Sequence, residues 1–180
     1  MNLPQGQLLR QRVLNSIETV LTGALDRDLT GYARLEPQET LLLSADRAGI
    51  ITFTDGVPVA AYHTEPDATG ADALTEIASS GPYRLGLYAL NESALQPLQE
   101  SDAARVPPGL PAEVLSGNQE LVERTRKRAP SERIERDEHE QDGLAAVESF
   151  LDDETQIETI RSRAQSEAES RADEWNLPVE

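Results

Sequence analysis

Residues 49–63, GIITFTDGVPVAAYH, decide the fold. Two apolar runs, Gly49–Thr54 and Val57–His63, flank the pair Asp55-Gly56. Asp-Gly accepts the positive φ angles of a type I′ turn, whose twist matches that of the strands on either side, so the stretch predicts a β-hairpin. Ile51 and Phe53 share one face of the first strand, and Val57, Val59 and Ala61 share a face of the return strand. Pro58 has no amide hydrogen to give to a ladder, which predicts an edge or a bulge beside it.

Upstream, Gly31–Glu36 (GYARLE) alternates as a strand with Ala33 and Leu35 on one face, and Thr40–Leu43 (TLLL) reads as a short strand or a buried helical turn. Residues 7–25 place Leu9, Val13, Ile17, Val20 and Leu21 at helical spacing, which predicts an amphipathic helix with one buried stripe. Downstream, EPDATG reads as a loop. Thr69 is then an N-cap candidate for a helix over Gly70–Ser79 that buries Leu74, Ile77 and Ala78. Gly81-Pro82 ends that helix, and Tyr83–Leu90 reads as a last strand with Leu85 and Leu87 inward. The fold class expected is α+β: a small antiparallel sheet with packed helices, in the order helix, strand, hairpin, helix, strand, followed by a linker and C-terminal helices.

Three regions follow. Residues 1–98 form the α+β domain, residues 99–142 a linker with a short helix and an acidic run, and residues 143–177 a helical tail. The stretch Asn91–Pro111 contains Pro97, Pro107, Pro108 and Pro111 and reads as linker; Ala112–Arg128 reads as the short helix, ending in RTRKR. SERIERDEHEQD (131–142) has six acids and one apolar residue, which predicts a solvated, mobile segment. In the tail, Leu144, Val147 and Leu151, then Ile157, Ile160, Ala164, Ala168, Ala172 and Trp175, recur at helical spacing. Asp153 with Gln156 makes a capping box. The tail's narrow apolar seam predicts a partner for it: the first domain, a second copy or another protein.

The chain has 180 residues, 33 acids against 16 bases, and a formal net charge of -17. Fifteen of the bases are arginine and one, Lys127, is lysine. An acidic, lysine-poor, alanine-rich composition resembles that of cytoplasmic proteins of salt-in halophilic archaea, where dense carboxylates hold hydrated cations and molar salt screens their repulsion. The alternative is an ordinary acidic bacterial protein. No cysteine is present, which excludes disulfides, thiolate catalysis and cysteine-ligated zinc. No apolar run approaches the roughly 18 residues of a spanning helix, and the N-terminus lacks the apolar core of a signal peptide. A cytoplasmic protein without a membrane segment is expected.

Candidate chemistry is sparse. His63, beside Glu65 and Asp67, lacks the fixed multi-ligand spacing of a metal site and reads as a strand-end histidine capped by a neighbouring carboxylate. His139 sits in the acidic run, where no buried site shapes its pKa. Carboxylate pairs such as Asp26/Asp28 and Asp152/Asp153 sit at helix ends and loops rather than in buried positions. There is no phosphate loop and no nucleophile elbow. The expectation is a protein that is not an enzyme, with no cofactor and no metal. Arg124, Arg126, Lys127 and Arg128 form the one concentrated basic patch. They read as a nucleic-acid contact or an intramolecular one, and the absence of interleaved aromatics disfavours nucleic acid. Leu151, Ile157, Ile160 and Trp175 of the tail are the candidate partner-binding residues, through a protein partner or self-association.

Four pieces, LTGYARLE, AGIITFTDGVPVAAY, GADALTEIA and GPYRLGLYAL, give residues 8–90 a resemblance to PATAN-type domains, found at the N-terminus of some response-regulator and gliding-motility proteins. Gly49, Ile51, Phe53, Gly56, Ala60, Ala73, Leu74 and Gly81 occupy comparable places; Gln38–Arg47 departs from the pattern as a longer insertion. The tail is similar to tails of haloarchaeal proteins. The resemblance implies a non-catalytic signalling or protein-interaction module and identifies no ligand. The function expected is therefore a regulatory adaptor that binds protein partners in a halophilic archaeal cytoplasm. Alternatives are a nucleic-acid-associated regulator using RTRKR, or a small-ligand sensor.

Overall fold

The computed structural model describes residues 4–37, 47–79 and 81–136, and in the C-terminal part Arg161, Arg163, Gln165, Glu167 and Arg171, which are helical. The chain divides into two units, Met1–Ile134 and Glu135–Glu180. The first unit is α+β, as the hairpin and its neighbours predict. Its elements are β1 (Gln7–Leu14), α1 (Glu18–Asp26), β2 (Gly31–Pro37), β3 (Gly49–Thr54), β4 (Val57–Thr64), β5 (Asp67–Thr69), α2 (Gly70–Ser79), β6 (Tyr83–Ala89), α3 (Glu92–Gln99), α4 (Leu110–Ser116) and α5 (Gln119–Arg128). The six strands form one antiparallel sheet in the order β1-β6-β2-β3-β4-β5.

The hairpin forms as its sequence dictates. Asp55 (φ 48°) and Gly56 (φ 81°) both take positive φ, and Ile51 and Phe53 are fully buried. A Cβ on Gly56 would stand 2.7 Å from the Ala24 carbonyl oxygen, so the turn also needs glycine to lie against the end of α1. The irregularity expected at Pro58 is present: Phe53 pairs with Pro58 and Thr52 with Ala60, leaving Val59 as the extra residue. The return-strand face is therefore split by the bulge, with Val57 and Ala61 buried and Val59 only half-buried.

Sheet and helices bury one main core. Leu14, Ile17, Val20, Leu21, Ala24 and Leu25 meet Ala33, Leu35, Ile51, Phe53 and Leu85 of the sheet, together with Ala73, Leu74 and Ile77 of α2 and Leu121 and Val122 of α5. Ala78 is exposed, and Ala73 takes the place in the core expected for it. On the opposite face of the sheet, α3 lies over β3 and β4 with Leu95 and Leu98 buried. There Gln99 donates to Thr54 Oγ1 at 3.2 Å, and the Tyr62 hydroxyl donates to the Leu98 carbonyl.

Several local expectations are corrected. Residues 7–25 are not one helix: Gln7–Leu14 is a strand, and the helix begins at Glu18. Leu9 and Val13 are exposed rather than part of a buried stripe, because β1 is recruited by the backbone groups of β6, which would otherwise be the open edge of the sheet. The loop EPDATG contains β5, whose last residue, Thr69, directly precedes α2. The expected linker Asn91–Pro111 is folded onto the domain. Strand β5 covers only Tyr62–Thr64, so Arg105 bridges Ala60 and the Val106 amide donates to the Val59 carbonyl at 3.0 Å, satisfying the bulged half of β4. The segment 112–128 is two helices broken at Gly117 (φ 64°), and residues 131–136 of the acidic run are helical. The TLLL segment lies outside the described residues.

Candidate interaction surface

The basic cluster belongs to α5. Asn118 caps the helix, its Oδ1 accepting from the Leu121 amide at 3.1 Å, while its Nδ2 donates to Glu18 Oε1 at 2.7 Å. This fixes α5 against α1 and turns the arginines onto the acidic end of that helix. Arg124 Nη2 pairs with Asp26 Oδ1 at 2.7 Å, and Arg128 pairs with Asp28. Lys127 approaches Glu123 at 3.9 Å, and the Arg126 side chain runs along Gly109. An open depression of about 440 Å³ lies among Leu25, Asp26, Asp28, Arg124, Lys127 and Arg128. Its charges are already matched within the fold. At the C-terminal end of α5 the cations also oppose the negative end of the helix dipole.

His63 is 2 % exposed, and its Nδ1 lies 3.3 Å from the Pro66 carbonyl oxygen. The partner is therefore a backbone carbonyl and not the carboxylate expected, since Glu65 and Asp67 are both exposed. Among the described residues no group of three His, Asp or Glu side chains is placed to hold a metal ion. Asp26 and Asp28, one of the carboxylate pairs considered, are the ion-pair partners above. A second depression, about 380 Å³, lies where Asn15, Ser16, Gly81, Pro82 and Ser116 meet. Leu151, Ile157, Ile160 and Trp175, with His139 and the Asp153/Gln156 box, lie outside the described residues.

The surface that sequence reasoning missed is β1. It pairs with β6 from Gln7↔Ala89 to Leu14↔Tyr83, with a bulge at Leu9, and among the described residues nothing pairs with its other edge. Leu8, Leu9 and Val13 are 49 %, 50 % and 52 % exposed. The register places Leu8 opposite Tyr88 and Val13 opposite Arg84 on one face, and Arg10 opposite Leu87 and Arg12 opposite Leu85 on the other. Beside Leu8, Tyr88 stacks on Tyr32 with ring centroids 4.8 Å apart. Burial holds the Tyr32 hydroxyl above its ordinary pKa, with Tyr88 adding to the effect and Arg34 opposing it. Burial alone raises Tyr62. The sequence marks this surface only by its charge, since the first acid of the chain is Glu18.

No helix among the described residues is long and apolar enough to cross a membrane. No curated protein and no solved structure matches the chain. A family model does match, over residues 2–177, and the chain belongs to that family, a domain of unknown function (DUF8572).

Proposed function

We propose that this chain is a non-catalytic regulatory or signalling adaptor that binds protein partners in the cytoplasm of a halophilic archaeon. The observation that carries the reading is the outer edge of β1, unpaired among the described residues, where Leu8, Leu9 and Val13 are each about half exposed. Apolar side chains held beside unpaired strand backbone favour association with another chain. The sequence resemblance of residues 8–90 to PATAN-type domains supports an interaction module; α1, β2, β3–β4, α2 and β6 follow the order of that pattern, with β1 and β5 in addition to it. The charge composition supports the halophilic setting. Pairing of Arg124 and Arg128 with Asp26 and Asp28 favours an intramolecular role for the basic cluster over nucleic-acid contact.

The test is a pull-down from lysate in molar potassium chloride, with and without nuclease, comparing the full chain with a variant carrying L8E, L9E and V13E. Proteins retained by the natural chain and lost from the variant support the reading. Identical captures, or captures that disappear with nuclease, overturn it.

A further inference from the structure

We propose that β1 is a docking strand for an extended acidic segment of a partner protein, which adds to the sheet as a seventh strand. The inference rests on the reading of the chain as a binding module and names the chemistry of its partner.

The sheet has two ends. At one, β5 is three residues long. At the other, β1 offers eight residues of strand, Gln7–Leu14. An added strand there would satisfy the outward backbone groups of β1 in the way β6 satisfies the inward ones.

The identity of the occupant follows from charge. Residues 1–17 contain Arg10 and Arg12 and no acid, in a chain whose 33 acids all lie beyond them. Among the described residues, neither arginine has an acidic partner. Arg12 Nε is shielded from solvent without a hydrogen-bond acceptor. These cations differ from Arg124 and Arg128, whose charges are answered within the fold. The register places Arg10 and Arg12 on one side of the strand and Leu8 and Val13 on the other. A strand laid alongside therefore meets cations on one face and apolar carbons on the other. The complementary sequence alternates acidic with apolar residues.

A second copy of this chain fits poorly. Two-fold antiparallel pairing of β1 with itself keeps each face of the sheet continuous, so the Arg10 and Arg12 side chains of both copies would gather on one face. The charges that repel a second copy select an acidic strand.

The experiment uses the full chain and a fluorescein-labelled peptide as long as β1, alternating Glu and Val, read by fluorescence anisotropy. It is run at the lowest salt in which circular dichroism shows the fold intact. Saturable binding is expected, with none to the matching Lys/Val peptide. The R10E/R12E variant should bind the acidic peptide about tenfold more weakly or worse. Alternate N-methylation along one edge of the peptide should abolish binding, and methylation along the other edge should spare it, which separates strand addition from charge attraction. No saturable binding to the Glu/Val peptide overturns the proposal, as does binding indifferent to R10E/R12E or to the methylated edge. Self-association that is lost in L8E/V13E, seen by sedimentation, also overturns it in favour of a second copy. If the peptide fails while the pull-down still loses partners with L8E/L9E/V13E, the partner chemistry is wrong and the binding-module reading stands. If both fail, the reading falls too.

Discussion

The β3–β4 hairpin and β1 belong to one sheet, yet they are held in it by different means. In the hairpin, the turn Asp55-Gly56 and the buried pair Ile51 and Phe53 lie within a few residues of one another, so local conformation and burial agree. In β1, only Leu14 reaches the core while Leu8, Leu9 and Val13 face water. Its conformation is imposed by β6, some seventy residues further along the chain. A strand anchored by side-chain burial is a part of the core. A strand anchored by backbone pairing along one edge leaves its side chains available for something else.

Substitution tests that contrast directly. Phe53→Ala removes a fully buried ring next to the turn and should cost about 3–5 kcal/mol in urea denaturation. Leu9→Ala in the β1 bulge should change stability by less than about 0.5 kcal/mol. Comparable losses at the two positions would abolish the distinction drawn between them.

The clasp between α5 and α1 lies between these extremes. Asn118→Ala removes the cap of α5 and the contact with Glu18, with an expected loss of about 1 kcal/mol by the same measurement. Arg124→Ala should cost no more than about 1 kcal/mol, because both it and Asp26 are roughly half exposed and the pair is screened by solvent. The loss should shrink further as salt is raised. An Arg124→Ala effect as large as that of Phe53→Ala would mean that the cluster organises the fold.

The smallest effects concern the tyrosines on the α3-covered face. Burial raises the pKa of Tyr32 and Tyr62 in the folded state. Their contribution is fully present below the unfolded tyrosine pKa of about 10, and it is lost as pH rises through the higher folded value. Thermal denaturation at increasing alkaline pH should show this decline, and Tyr62→Phe should flatten part of it. A decline of the same size in Tyr62→Phe would remove Tyr62 from the account. Salt supplies a further test. Circular dichroism of the natural chain in dilute buffer should show loss of structure that potassium chloride restores, and an intact fold without salt would contradict the halophilic reading of the charge.

Much of the fold was legible because its signals are short-range. Asp55-Gly56 specified the turn, Pro58 marked the bulge, and Thr69 on one side with Gly81-Pro82 on the other bracketed α2, Gly70–Ser79. The first helix was misread for an understandable reason. Leu9, Val13 and Ile17 keep helical spacing, and nothing local reveals that β6 lacks a neighbour. The prolines of 91–111 suggested a linker, whereas Leu95, Leu98, Ala104 and Val106 are buried there. Those prolines punctuate short elements, and the bulged half of β4 gives Arg105 and Val106 a place to pair. The basic cluster was visible as RTRKR, but its answering carboxylates, Asp26 and Asp28, stand about a hundred residues away.

By itself, then, the amino-acid sequence determined the α+β class, the hairpin with its turn and bulge, α2, β6 and the charge asymmetry that leaves residues 1–17 without an acid. Propensity, periodicity and charge act over a few residues and can be read there. Only the tertiary structure decided that Gln7–Leu14 is a strand, that residues 91–111 pack on the domain, and that, among the described residues, Arg124 and Arg128 have acidic partners while Arg10 and Arg12 have none. Each of these depends on which distant backbone or carboxylate is left without a partner once the sheet has formed, and that is a property of the assembled fold rather than of any segment.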